Sequence, residues 1–199
     1  MSRILEQDER QLSFSQRWAS YLTILVAVGG VILGVFYKNS LVGATYPFIN
    51  RQVGITARYP AQWLLTEGGA EFVLRAQDPK SLPFKTTIQV ALLPTGSGAR
   101  PSDILNLLDI DRARRLPGYR SLAREPFTLP NGQRSIRMEY AYASVEANPF
   151  SQAEPITVRA TDIVVLRENQ AVVITFLTEA AKYEANRPYF EAFLRSLSF

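Results

Sequence analysis

The sequence predicts an α+β domain built on an antiparallel sheet with two segregated helices, preceded by one apolar helix long enough to span a bilayer. Three observations carry this reading. Residues 19–37 (ASYLTILVAVGGVILGVFY) run for nineteen positions without a charge, and at ~1.5 Å per residue that approaches the ~30 Å of bilayer hydrocarbon. From Val53 onward the hydrophobic period drops to two, with turn residues between the runs, as strands require. Only two later stretches return to a helical period, and strands that follow one another without crossover helices pair antiparallel rather than building a doubly wound sheet.

The apolar run is expected to be a transmembrane helix. Trp18 and Tyr21 at one end, with Phe36 and Tyr37 at the other, supply rings of the kind that settle among lipid headgroups, and Arg17 and Lys38 bracket the run. A core helix seldom lacks a polar face over five turns. A cleaved signal peptide is the closer rival, because Val42, Gly43 and Ala44 have the small size a signal peptidase reads. The run exceeds the usual ~7 to 15 residues, however, and the eighteen residues before it carry three acids, so an uncleaved anchor is expected. Arg3, Arg10 and Arg17 precede the span, whereas Lys38 and Arg51 follow it. That bias makes 1–18 a cytoplasmic tail and puts the C-terminal domain on the extracytoplasmic, periplasmic side of a cell membrane. Gly30 and Gly34 form a G-x-x-x-G pair, with Gly29 adjacent, that lets a second helix pack closely, although glycine is also simply frequent in spans.

Residues 38–52 read as a linker and 53–199 as the domain. VGITARY (53–59), WLLTE (63–67) and EFVLRAQ (71–77) open it as a short meander, and TTIQVALL (86–93) returns as a strand with Ile88, Val90 and Leu92 on one face. Ser102 and Asp103 after Pro101 read as the N-cap of a helix that buries Ile104, Leu105, Leu107 and Leu108 and ends at Pro117-Gly118. Residues 119–129 and 133–145 flank Asn131-Gly132, a strong hairpin signal, and Ile136, Met138, Tyr140 and Tyr142 alternate along the second arm. After a polar loop over 146–155, ITVRATDIVVLRE and AVVITFLT are two further strands, the second apolar enough to be central. Residues 179–199 close the chain as a helix presenting Tyr183, Phe190, Phe193, Leu194 and Leu197 to the sheet.

Composition removes most catalytic chemistry. The 199 residues contain no cysteine and no histidine, which excludes thiolate and imidazole ligands, cysteine nucleophiles and every triad with imidazole as base. No phosphate loop, nucleophile elbow or dinucleotide fingerprint occurs, and no cofactor or metal is expected. The pairs Asp109/Asp111 and Asp162/Glu168 lack the spacing that would make them partners in acid–base work. With 22 basic and 18 acidic residues the net charge is +4, too low for a dedicated nucleic-acid binder.

The segments ITARYPAQW, TTIQVALLP, LPGYRSL, NGQRSIRMEYAY and ITFLTEAAKYEANRPYFEAFLRSLSF together resemble the PsbP-like or Mog-like domains over residues 53–199. The resemblance implies a curved antiparallel sheet covered by helices, and a binding or assembly module rather than an enzyme.

Two groups of side chains remain as candidates. Tyr59, Pro60 and Trp63 read as a plug closing the end of the sheet. Arg112, Arg115, Arg120 and Arg124, with Arg114, Arg134 and Arg137, form the one concentration of charge, either a partner surface or a solvated face. The expected function is a non-catalytic accessory subunit of a membrane complex whose partners are other subunits and the lipid bilayer. An electron-transfer or photosynthetic complex is expected on the resemblance alone. The alternative is a free-standing, membrane-tethered module binding a ligand or protein.

Overall fold

The computed structural model describes residues 14–69, 71–96, 98–145 and 154–199. Most of the expected cytoplasmic tail and of the 146–155 loop lies outside these residues. The chain forms two compact units, Met1–Ala44 and Thr45–Phe199. The first contains α1 (Phe14–Val42), 29 residues of helix. Large apolar side chains from Trp18 to Leu33 are exposed on every side of it. Among the residues described with their side chains, no helix is long and apolar enough to cross a membrane.

The second unit is the α+β domain. A hairpin of β1 (Thr45–Asn50) and β2 (Ile55–Pro60) stands apart from a seven-stranded antiparallel sheet. The sheet comprises β3 (Leu64–Glu67), β4 (Leu74–Gln77), β5 (Thr87–Pro94), β6 (Arg120–Thr128), β7 (Arg134–Ser144), β8 (Ile156–Arg167) and β9 (Gln170–Glu179). Its spatial order is β3-β4-β5-β9-β8-β7-β6, so the most apolar strand, β9, is central, as its composition requires. Gly132 holds φ 85° in the β6–β7 turn, the left-handed conformation for which glycine is suited.

Each face of the sheet has its own core. On one face α3 (Tyr183–Ser196) and the β1–β2 hairpin pack Phe48, Ile55, Phe190 and Phe193 against Ile88, Val90, Ile174 and Phe176. The rings of Phe176 and Phe190 stack with centroids 4.8 Å apart. Trp63 plugs this core at 7% exposure, its ring 5.9 Å from that of Tyr189, as expected. On the other face α2 (Pro101–Arg115) sets Ile104 and Leu105 over Met138, Tyr140, Ala160, Val164 and Val173.

Two boundaries and one buried position differ from expectation. The expected linker over 38–52 contains β1, whose Phe48 is 2% exposed. Pro47 disguised it, because proline is tolerated on an edge strand such as this. Helix α2 begins at Pro101 with Arg100, not Ser102, as N-cap. Proline at the first helical position loses no intrahelical bond, and the Asp103 carboxylate accepts the Arg100 N–H at 3.2 Å. Leu107, expected in the core, is 64% exposed because α2 turns only Ile104 and Leu105 fully inward.

The β1 strand therefore belongs to the folding unit. Phe48→Ala should cost ~3 to 4 kcal/mol through the cavity it opens, and a fragment starting at Val53 should melt well below one starting at Ala44, both read by circular dichroism. Equal melting of the two fragments would return 45–50 to the linker.

Candidate functional site

The two faces of β8 carry different chemistry. Alternation sends Ala160, Asp162 and Val164 toward α2, and Arg159, Thr161 and Ile163 toward α3. Asp162 pairs in register with Met138 of β7 and Thr175 of β9 and has no exposed side-chain area. Above it α2 lowers Arg112, whose Nε and Nη2 each donate to Oδ2 at 3.4 Å. The Arg112 guanidinium also lies 5.8 Å from the ring centre of Tyr140. Beside this pair, the Tyr119 hydroxyl donates to Asp109, and Arg124 ties β6 to α2 through Asp109 at 2.5 Å and Asn106 at 2.7 Å.

Burial chiefly raises the Tyr140 pKa well above its ordinary value, and the Asp162 charge adds to the rise. Tyr142 is pushed up to about 12, again mainly by burial. Tyr119 is raised by burial and by its hydrogen bond to Asp109. Two buried atoms in the cluster, Tyr140 Oη and Asp162 Oδ1, make no hydrogen bond. The acids of the two pairs weighed in the sequence are engaged elsewhere or lie apart. Asp109 is engaged by Tyr119 and Arg124, Asp111 by Arg115, and Asp162 is sealed beneath α2 while Glu168 stands in the β8–β9 turn.

The arginines read from the sequence as a partner surface or a solvated face divide by pairing and exposure. Arg112 points inward to Asp162, Arg115 pairs with Asp111 at 2.7 Å, Arg124 is spent on Asp109, and Arg137 pairs with Glu125. Arg114, Arg120 and Arg134 are exposed and make no ion pair among the described residues. Sequence spacing placed these charges near one another, but most of the acids that neutralise them come from the same segments. Tyr140 and Tyr142 pack as expected, with ring centroids 6.4 Å apart. Gly29, Gly30 and Gly34 have no atom within 4 Å of where a Cβ would stand.

On the α3 face, helix and strands leave a cleft of about 270 Å³ over β6, β7 and β8. Phe127, Ile163, Phe190 and Leu194 line its apolar part, and Arg137, Arg159, Arg187 and Arg195 with Glu139 and Glu191 line its polar part. Arg159 donates to Glu139 at 2.7 Å, lies 3.5 Å from Glu184, and stacks 3.9 Å above the Tyr183 ring. Arg187 donates to Glu191 at 2.8 Å. The Thr161 and Tyr183 hydroxyls share a hydrogen bond of 2.6 Å at the cleft floor. Sequence reading passed over this site, although an arginine and an aspartate at opposite parity inside ITVRATDIVV were a visible sign that both faces of β8 carry charge.

No family model and no curated protein matches the sequence. Solved structures do match the fold. Cyanobacterial PsbP (CyanoP) from Synechocystis superposes with a TM-score of 0.55 at 11% identity, over 79% of this chain and 93% of that one. LpqN, involved in cell envelope biogenesis of Mycobacterium tuberculosis, gives 0.52 at 14% identity over 78% and 90%. The Ran-binding protein Mog1p of Saccharomyces cerevisiae gives 0.51 at 12% identity over 78% and 95%. The domain has a PsbP/Mog-like fold, an antiparallel sheet flanked by helices.

Two outcomes test the α2 cluster. Arg112→Met should cost ~3 to 5 kcal/mol in urea unfolding, because it strands a buried carboxylate, and adding Asp162→Asn should recover much of that loss. A tyrosine whose folded pKa lies above the unfolded ~10 keeps its proton in the folded state while the unfolded chain gives its own up. The stability these groups sustain is therefore intact below about pH 10 and lost as pH rises from there through their folded values. Urea midpoints should fall between about pH 10 and 12, by up to ~1.4 kcal/mol per unit for each tyrosine. Tyr140→Phe should soften that fall and leave stability at pH 7 unchanged or higher, since the hydroxyl it removes has no partner. A loss above ~1 kcal/mol at pH 7 would contradict this account.

Proposed function

We propose that this chain is a non-catalytic accessory subunit of a membrane complex, anchored by a single helix, with the N-terminus cytoplasmic and the PsbP/Mog-like domain extracytoplasmic. The observation that carries the reading is α1: a helix of 29 residues whose described stretch from Tyr21 to Leu33 exposes apolar side chains on every side and holds no charge. In water such a surface is strongly unfavourable, whereas in hydrocarbon a helix satisfies its own backbone and needs no polar face. The open glycine face at Gly29, Gly30 and Gly34 supports close approach by a second helix. Net charge and fold argue for protein partners over nucleic acid. The fold likeness to a cyanobacterial PsbP and to a Ran-binding protein supports an assembly role, and an electron-transfer or photosynthetic complex is the specific form proposed, by analogy of fold.

The α3-side cleft favours a second reading, a free-standing tethered module that binds a ligand or protein through that cleft. Extraction separates the two. The protein should resist removal from membranes by alkaline carbonate, and native electrophoresis after gentle detergent extraction should show it with companions identifiable by mass spectrometry. Gly30→Ile with Gly34→Ile should keep it membrane-bound but weaken that association. A lone monomer in mild detergent would favour the tethered module, and release by carbonate would remove the anchor from both readings.

A further inference from the structure

The polar clusters elsewhere in the domain are closed. Ser81, Thr86, Thr178 and Asn186 satisfy one another at 2.9 to 3.1 Å, and the Arg112 cluster is covered by α2. The α3-side cleft is different, being open and lined by both apolar and charged side chains. Its ~270 Å³ lies just under the ~300 to 1,000 Å³ of sites that bury drug-sized molecules, and suits one aromatic side chain with a small polar group beside it. Four arginines and two glutamates line it, and Glu125 and Glu184 outside the lining also pair with Arg137, Arg159 and Arg187. Three of the arginines already hold a glutamate, and Arg195 has no ion pair among the described residues.

We infer that this cleft receives an anchor from a partner protein: one aromatic side chain followed closely by a carboxylate. The inference rests on the accessory-subunit reading for the partner's identity. The ring lies against Phe127, Ile163 and Phe190, and the carboxylate meets Arg195 and then Arg187. Binding energy at protein interfaces concentrates where a large ring fills a desolvated pocket inside a polar rim. The rim here is built of guanidinium groups, whose planar forks match a carboxylate and whose fixed geometry leaves little freedom to lose. Stacking holds two of them in place before any ligand arrives, Arg159 over Tyr183 at 3.9 Å and Arg137 over Phe127 at 5.0 Å.

The test uses the full chain in lipid nanodiscs with isotope-labelled isoleucine and leucine methyl groups. Three probes are titrated: indole-3-propionate, tryptamine and 3-methylindole, which share a ring and differ in charge. Indole-3-propionate should shift the Ile163 and Leu194 methyl signals saturably in the range of about 1 mM, and tryptamine should need at least about five-fold more. Arg195→Glu should weaken the propionate about five-fold and leave 3-methylindole unchanged. Glu191→Gln should tighten the propionate about two-fold by removing one of the two glutamate charges that hold Arg187. Opposite shifts from two surface substitutions on one helix are not produced by loss of fold. Arg195→Glu should also lose the companions that the wild-type chain retains in mild detergent. No saturable shift at these methyls up to about 10 mM, or binding blind to charge, overturns the inference. Companions kept equally by Arg195→Glu overturn the cleft as the docking point and leave the subunit reading standing. Probe binding by a wild-type chain that has no companions overturns the subunit reading and the protein partner with it.

Discussion

Val158 through Arg167 of β8 lies opposite Glu179 through Gln170 of β9 in an unbroken antiparallel register, and both faces of the domain depend on it. Because side chains alternate, a slip of one residue would carry Asp162 out from under Arg112 and drive Arg159 into the core that now holds Ala160 and Val164. The cost of burying either charge unpaired makes that slip prohibitive. Asp162 thus contributes little net stability with its pair, yet it excludes the competing arrangement.

The faces that this register separates have opposite characters. Under α2, charge is paired: Arg112 holds the buried Asp162, and Asp109 joins Tyr119 and Arg124, so that the helix is tied to β8 and β6. α2 needs this, since only Ile104 and Leu105 are fully buried along it. Under α3 the apolar contact is broader, with Tyr183, Phe190, Phe193 and Leu194 all buried. That helix is held without its charged flank, which leaves Arg187, Glu191 and Arg195 facing a cleft.

Elements with a strong periodic signal were legible in the sequence. The central position of β9 followed from its unbroken apolar run, and the β6–β7 hairpin from Asn131-Gly132. The aromatic face of α3 followed from the spacing of Tyr183, Phe190 and Phe193. β1 was hidden because its one buried anchor, Phe48, follows Pro47 and its pairing is confined to a separate hairpin. Within the arginine cluster Asp109, Asp111 and Glu125 come from the same segments as the arginines they pair with, whereas one partner lies far away. Arg112 reaches Asp162 fifty residues away, a contact no local pattern encodes. The cleft was invisible for a related reason: Phe127, Ile163 and Phe190 come from three distant segments and meet only after the sheet has formed.

The order of the strands also governs when the domain can form. β5 finds its second sheet neighbour only in β9, more than seventy residues later, and Thr56 of β2 exchanges backbone hydrogen bonds with Ser198, the penultimate residue. Those strands therefore lack a complete set of partners, and any covering helix on the α3 side, until β9 and α3 have formed. Contacts of such long range are slow to close, so the β1–β2 hairpin and β5 are locked into the domain only by segments that lie far along the sequence.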